Sequence, residues 1–153
     1  MNNLNFKKRT LESDKKRNAE SRSFYDVIVD GKSLFDQFVD AHSDLALSIG
    51  FYHDSNLNTQ IVNEFLKSQK SKLESGRTLL FVCRECGDFG CGAITVEIER
   101  KDNSFVWKNF AHESDSFELI ESDFINFPSI EFDKTEYETK LNNLIKNWLQ
   151  QRI

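Results

Sequence analysis

The chain has 153 residues and a net charge of −5, with 39% apolar and 29% charged residues, a composition that excludes a disordered chain and is long enough to bury one core. No apolar run approaches the roughly 20 residues that cross a bilayer, and the basic first stretch, "MNNLNFKKRTLESDKKRNAE", lacks the apolar centre of a signal peptide. The expectation is a cytoplasmic single domain over 1–153 with its thiols reduced, and three cysteines are an odd number for a paired disulfide framework.

In chain order, "LNFKKRTL" and "SFYDVIVDG" read as two strands paired across a polar connection over 12–22. The second is apolar and β-branched and ends in Asp30-Gly31, a turn signal. Residues 1–22 are accordingly either a first hairpin or a mobile basic arm. In "KSLFDQFVDAH", Leu34, Phe35, Phe38 and Val39 recur at helical spacing. A longer helix is expected within 57–73 on the stripe Ile61, Phe65, Leu66 and Leu73, with Gly76 as its stop. Three strands follow: "TLLFVCRE", "CGAITVEIER" and "SFVWKNFAH". The middle one alternates, with Ala93, Thr95, Glu97 and Glu99 on one face and Ile94, Val96 and Ile98 on the other, the pattern of a meander with one buried face. Lys101-Asp102-Asn103 is the hairpin turn, and "FPSIEF" is a further strand.

The last element is a helix from Thr135 to Gln151, striped by Tyr137, Leu141, Leu144, Ile145, Trp148 and Leu149. Asp133 with Glu136, or Thr135 with Glu138, has capping-box spacing. The fold class is α+β, an antiparallel sheet of about 4–6 strands with two or three helices on one face. Fourteen phenylalanines predict a core of rigid rings, some of them at a recognition surface.

The cysteines Cys83, Cys86 and Cys91 are spaced C-x2-C-x4-C. Gly87 permits the positive φ that turns thiolates toward one cation. Structural zinc takes four ligands, so a fourth has to come from His42, His53, His112 or Asp88. His112 is the first choice, because it ends the strand expected beside the hairpin. An iron–sulfur cluster needs a fourth ligand too. A redox reading uses Cys83-x-x-Cys86, but this pair ends a strand and has no helix N-terminus to lower a thiol pKa. The plainest reading is a tight structural turn, with or without zinc. The marks of dinucleotide binding, nucleotide hydrolysis, zincin proteolysis and serine hydrolysis are absent from the sequence. Nothing specific supports a nucleophile built from Cys86, a histidine and Asp88. No catalytic residue is assigned.

Charge is segregated. Residues 7–22 carry Lys7, Lys8, Arg9, Lys15, Lys16, Arg17 and Arg22 against three acids, and residues 113–138 carry nine acids against Lys134 alone. An acidic stretch repels nucleic acid and attracts a basic protein, although solvated surface explains such a run equally well. The candidate partner contacts are Glu113, Asp115, Glu118, Glu121 and Asp123, with Phe117 and Phe124 as aromatic anchors.

"VCRECGDFGCGAITVEIER" followed by "FVWKNFAHE" resembles a family of small bacterial proteins that carry a CxxCGDxGCGA hairpin, a strand, and a VW-x-x-F strand. "FYDVIVDGKSLFD" resembles their upstream segment. This likeness covers about half the chain and implies the fold but no reaction. In size, acidity and character the chain is also similar, more loosely, to immunity proteins of bacterial contact-dependent growth inhibition systems. That resemblance implies a protein-binding module that blocks a cognate basic toxin domain, a nuclease among them, with no membrane and no direct nucleic-acid partner. The alternative is a zinc-binding or thiol-redox protein acting through Cys83, Cys86 and Cys91.

Overall fold

The computed structural model describes residues 1–16, 20–39, 44–115 and 117–149, of which residues 117, 118, 148 and 149 by backbone alone. It is α+β, with two antiparallel sheets and three helices.

β1 (Leu4–Leu11) and β2 (Arg22–Val29) pair antiparallel in the expected hairpin. Residues 4–11 are therefore a strand and not an arm; Arg17 lies outside the described residues. Asp30 and Gly31 turn the chain at φ +52° and +80°, and β3 (Lys32–Ser33) completes a sheet of order β1-β2-β3. Buried Asp26 on β2 ties this sheet to the next element: it accepts from the Ser33 hydroxyl, from Phe35 N at 3.2 Å and from Arg9 Nη1 at 3.3 Å. Ser33 in turn caps the short helix α1 (Leu34–Phe38), accepting from Asp36 N at 3.0 Å.

The second sheet has the order β4-β5-β6-β7-β8, made of β4 (Leu45–Leu47), β5 (Thr78–Cys83), β6 (Ala93–Arg100), β7 (Ser104–Ser114) and β8 (Phe117–Ile120). β9 (Ile130–Asp133) pairs with the start of β7. The expected alternation on β6 holds only at its far end. Ala93, Ile94, Thr95 and Val96 are all buried, because Arg77 covers the outer face there. Its guanidinium donates to Thr95 Oγ1 at 2.8 Å, to Thr95 O at 3.1 Å and to Asn109 O. Asn109, at φ +55°, is an extra residue on β7 where the register shifts opposite Thr95 and Glu97.

α2 (Ser55–Phe65) starts on an Asp54 cap and stops well before Gly76. Lys67 turns left-handed at φ +58°, and "KSQKSK" offers no apolar residue to carry the stripe; Leu73 reaches the core from the following loop. α3 (Lys134–Leu144) continues as a wider helical turn over Ile145–Leu149. Asp133 caps it, accepting from Glu136 N at 3.0 Å. The Glu136 carboxylate does not return to the cap, and instead accepts from Leu4 N at 3.1 Å, joining helix to first strand. Trp148 and Leu149 belong to the backbone-only residues, and residues 150–153 lie outside the described set.

The helices cover one face of the larger sheet. Phe38 of α1 stacks on Phe81, Phe65 of α2 meets Trp107 at a tilt, and Tyr137 of α3 stacks on Phe105. One hydrophobic cluster draws residues from both sheets and all three helices. Among the described residues no helix is long and apolar enough to cross a membrane.

Candidate functional site

The turn from β5 to β6 is built by side chains from distant parts of the chain. Gly87 N closes it on Cys83 O at 2.8 Å, with Gly87 at φ +68°. The Tyr52 hydroxyl donates to Gly87 O at 2.8 Å. A Cβ on residue 87 would lie 2.6 Å from the Tyr52 ring and 2.9 Å from the Phe51 ring. Conformation and space both demand glycine at this position. Arg22 grips the same loop from β2, donating Nε to Arg84 O at 2.7 Å and Nη2 to Glu85 O. Asp88 then caps a single 3₁₀ turn over Phe89–Cys91, accepting from Gly90 N at 3.2 Å.

This scaffold gathers the three sulfurs, which all lie within 4.8 Å of one another. The Cys86 and Cys91 sulfurs are 3.3 Å apart; both residues are exposed, while Cys83 is half-buried. A tetrahedral ion with Zn–S bonds of about 2.3 Å separates its sulfurs by about 3.8 Å, so the set fits one soft metal ion. The Asp88 N–H, 3.4 Å from Cys86 Sγ, is the main influence holding the Cys86 thiol below its ordinary pKa, and the Cys91 thiol adds to it. Cys91 is pushed up to about 12, first by its hydrogen bond to Cys86 and then by the charges of Cys83 and Cys86.

The expected fourth ligand, His112, is not in this group. Its residue pairs with Ile94, three positions beyond Cys91. Its ring lies against Phe124 at 5.0 Å, and its Nε2 is 3.0 Å from Asp123 Oδ2. The Asp88 carboxylate is engaged with Gly90 N, His53 is an exposed residue of another turn, and His42 lies outside the described residues. Among the described residues no histidine or carboxylate joins the three sulfurs at that spacing.

The acidic candidates divide. Glu113 turns inward: it accepts from Thr95 Oγ1 at 2.8 Å and stands 3.5 Å from Arg77 Nε, which withdraws it from any partner surface. Asp115 is exposed, its carboxylate 3.6 Å from the position a Gly90 Cβ would take, beside the cysteine turn. Glu121 and Asp123 are exposed. Phe117 and Glu118 are on β8 by backbone, and their side chains lie outside the described set. Phe124 is half-buried, stacked on Phe38 at 5.4 Å.

Sequence reasoning did not pick out the apolar residues of the same stretch. Leu119, Ile120 and Ile125 are 39%, 43% and 80% exposed. Ile125 borders a hollow of about 580 Å³ whose walls include Phe38, Ile94, His112, Phe124 and Phe127. The available signal was three large aliphatics inside a run of acids, which fits neither a solvated loop nor a packed strand. The chain matches no family model, no curated protein and no solved structure.

Proposed function

We propose that this chain is a protein-binding module that docks a basic partner domain on the edge formed by β8 and the turn after it, and that one zinc ion clasps its cysteine turn. One observation carries the docking reading. Among the described residues, three of the four exposed large apolar side chains (Leu119, Ile120 and Ile125) fall within seven positions of an acidic segment. Exposed aliphatics are normal when scattered singly, and grouped beside acids they mark a contact surface. Residues 109–133 contain no lysine or arginine, and Asp115, Glu121 and Asp123 are exposed. Such a rim steers a basic surface toward the apolar centre and disfavours nucleic acid. β8 also has a single strand neighbour, β7, among the described residues, and a free edge accepts an added strand. The role we assign is that of an immunity protein occluding a basic toxin domain by steric block.

The test is capture from cells followed by a measured affinity. The protein should retain a basic partner that the variant D115K/E121K/D123K releases. On the purified pair at low salt, the triple reversal should weaken binding by at least about tenfold. Unchanged affinity rejects this surface.

What supports zinc is the donor set: three soft sulfurs spaced for one tetrahedral ion. Zinc would tie the end of β5 to the turn that leads into β6 and stabilise the hairpin. A native mass spectrum of reduced protein should carry one zinc ion, and a bare mass refutes the assignment.

A further inference from the structure

The three sulfurs are not equivalent. Cys86 and Cys91 are exposed and Cys83 is half-buried. Their Sγ atoms, 3.3 Å apart, need to approach by about 1.3 Å to reach the S–S bond length of about 2.05 Å. The two arms of the turn also differ. On the Cys86 side the backbone is held by Arg22 at Arg84 O and Glu85 O and by Tyr52 at Gly87 O, and the Asp88 N–H points at Cys86 Sγ from 3.4 Å. On the Cys91 side the turn is closed within itself, Cys91 N donating to Asp88 O at 3.2 Å and Gly92 N to Phe89 O at 2.9 Å. One sulfur sits on a stretch anchored by distant side chains, the other lies 3.3 Å from it on the short turn, and both residues are open to solvent.

We infer that Cys86 and Cys91 are an oxidisable dithiol that takes a hydroperoxide as its oxidant and closes to a disulfide, leaving Cys83 reduced. The inference deepens the zinc reading by adding its regulation, and it stands on the sulfur geometry without the metal. Cys86 attacks the terminal peroxide oxygen. The O–O bond breaks, the alcohol or water leaves, and Cys86 becomes a sulfenic acid. Cys91 then displaces its hydroxyl as a second water, and the Cys86–Cys91 bond forms. In total two thiols and one hydroperoxide give one disulfide, one alcohol (or water) and one water, the two electrons passing from the sulfurs to the O–O bond. Where zinc is bound, the reaction removes two of its three sulfur ligands and releases the ion. The reactive pair is thus Cys86–Cys91, and not the Cys83–Cys86 pair that its CxxC spacing suggests.

The experiment treats reduced full-length protein, zinc-loaded and metal-stripped, with one equivalent of hydrogen peroxide, then alkylates and maps it by mass spectrometry. The expected product of the stripped protein is about 2 Da lighter, carries a linked Cys86–Cys91 peptide and has Cys83 alkylated; it should form about tenfold faster than in guanidinium. Cys83→Ser should give the same link. Cys91→Ser should stop at a sulfenic acid on Cys86 that dimedone traps. In the loaded protein, one zinc should appear on a chromophoric chelator per disulfide formed. A link through Cys83, equal rates folded and unfolded, or sulfinic acids without a disulfide would each overturn the proposal. A protein that carries no zinc before treatment refutes the metal reading and leaves the disulfide map to decide this one.

Discussion

The helix-covered face of the large sheet has two ends built from the same residue types and used differently. At one end Phe65, Phe105, Trp107, Phe132 and Tyr137 are all buried, with ring centroids 4.2 to 6.3 Å apart. Their polar atoms are used up too: Trp107 Nε1 donates to the Tyr137 hydroxyl at 3.1 Å, which donates to Phe65 O at 2.6 Å. At the other end Phe38 meets Phe81, Phe110, Phe124 and Phe127 at comparable distances of 4.4 to 5.5 Å, yet Phe38, Phe124 and Phe127 stay half-buried around the hollow. The difference lies in what covers the rings. α2 and α3 close the first end, whereas a five-residue helix and an acidic turn border the second. Ring-to-ring contact alone therefore does not make a core; a cover and satisfied polar groups do.

Breaking the closed end should have the largest effect. Trp107→Ala should lose about 3–5 kcal/mol in denaturant unfolding, since it leaves a cavity under two helices, while Phe124→Ala at the open end should lose about 1 kcal/mol because solvent already reaches that ring. Equal costs would remove the distinction. Tyr137→Phe keeps the ring and deletes one hydroxyl, stranding Trp107 Nε1 and Phe65 O. It should lose about 1–3 kcal/mol, read in the same way.

The two helices at the ends sharpen the contrast through pH. Glu64 on α2 is buried, and burial raises its pKa despite Lys72 nearby. A raised folded-state pKa means that its contribution is fully present below the ordinary carboxylate range near 4 and is lost as pH rises through the folded value. Asp36 on α1 is exposed and its pKa is lowered, chiefly by its hydrogen bond with Arg9. Its contribution is present above about 4 and is lost as pH falls through the depressed value, muted by solvent. Unfolding curves against pH should therefore lose the limb above pH 4 in Glu64→Gln and the acid limb in Asp36→Asn. The opposite assignment would contradict both environments.

How much of this was legible follows from range along the chain. The β1–β2 hairpin, the β5–β7 meander, the Asp133 cap and the cysteine spacing are local patterns, and each is found where residue period and turn chemistry put it. What was not legible depends on distant partners. Glu113 turns inward because Arg77, 36 positions earlier in the chain (113 − 77), reaches across the sheet. His112 faces Phe124 and Asp123 because β7 pairs Ile94 with His112 beyond the extra residue at Asn109, and a one-residue shift changes which side chains share a face. The clamp of Tyr52 and Arg22 on the cysteine turn likewise leaves no trace in spacing.

The smallest expected effect is the most informative about the open end. Leu119 and Ile120 keep about two fifths of their surface exposed and Ile125 four fifths, so each change to serine should alter unfolding free energy by no more than about 1 kcal/mol. A core residue of similar size costs several times that. Leu119 and Ile120 are strand neighbours whose side chains project to opposite sides of the edge, and Ile125 stands over the hollow, so the three probe different parts of the rim. If these aliphatics serve a partner, the triple serine variant should unfold at the midpoint of the parent protein and lose the basic protein that the parent captures. A variant that instead unfolds earlier by the cost of a buried leucine would mean that the acidic turn closes over this end in solution. The two ends of the sheet would then be one continuous core.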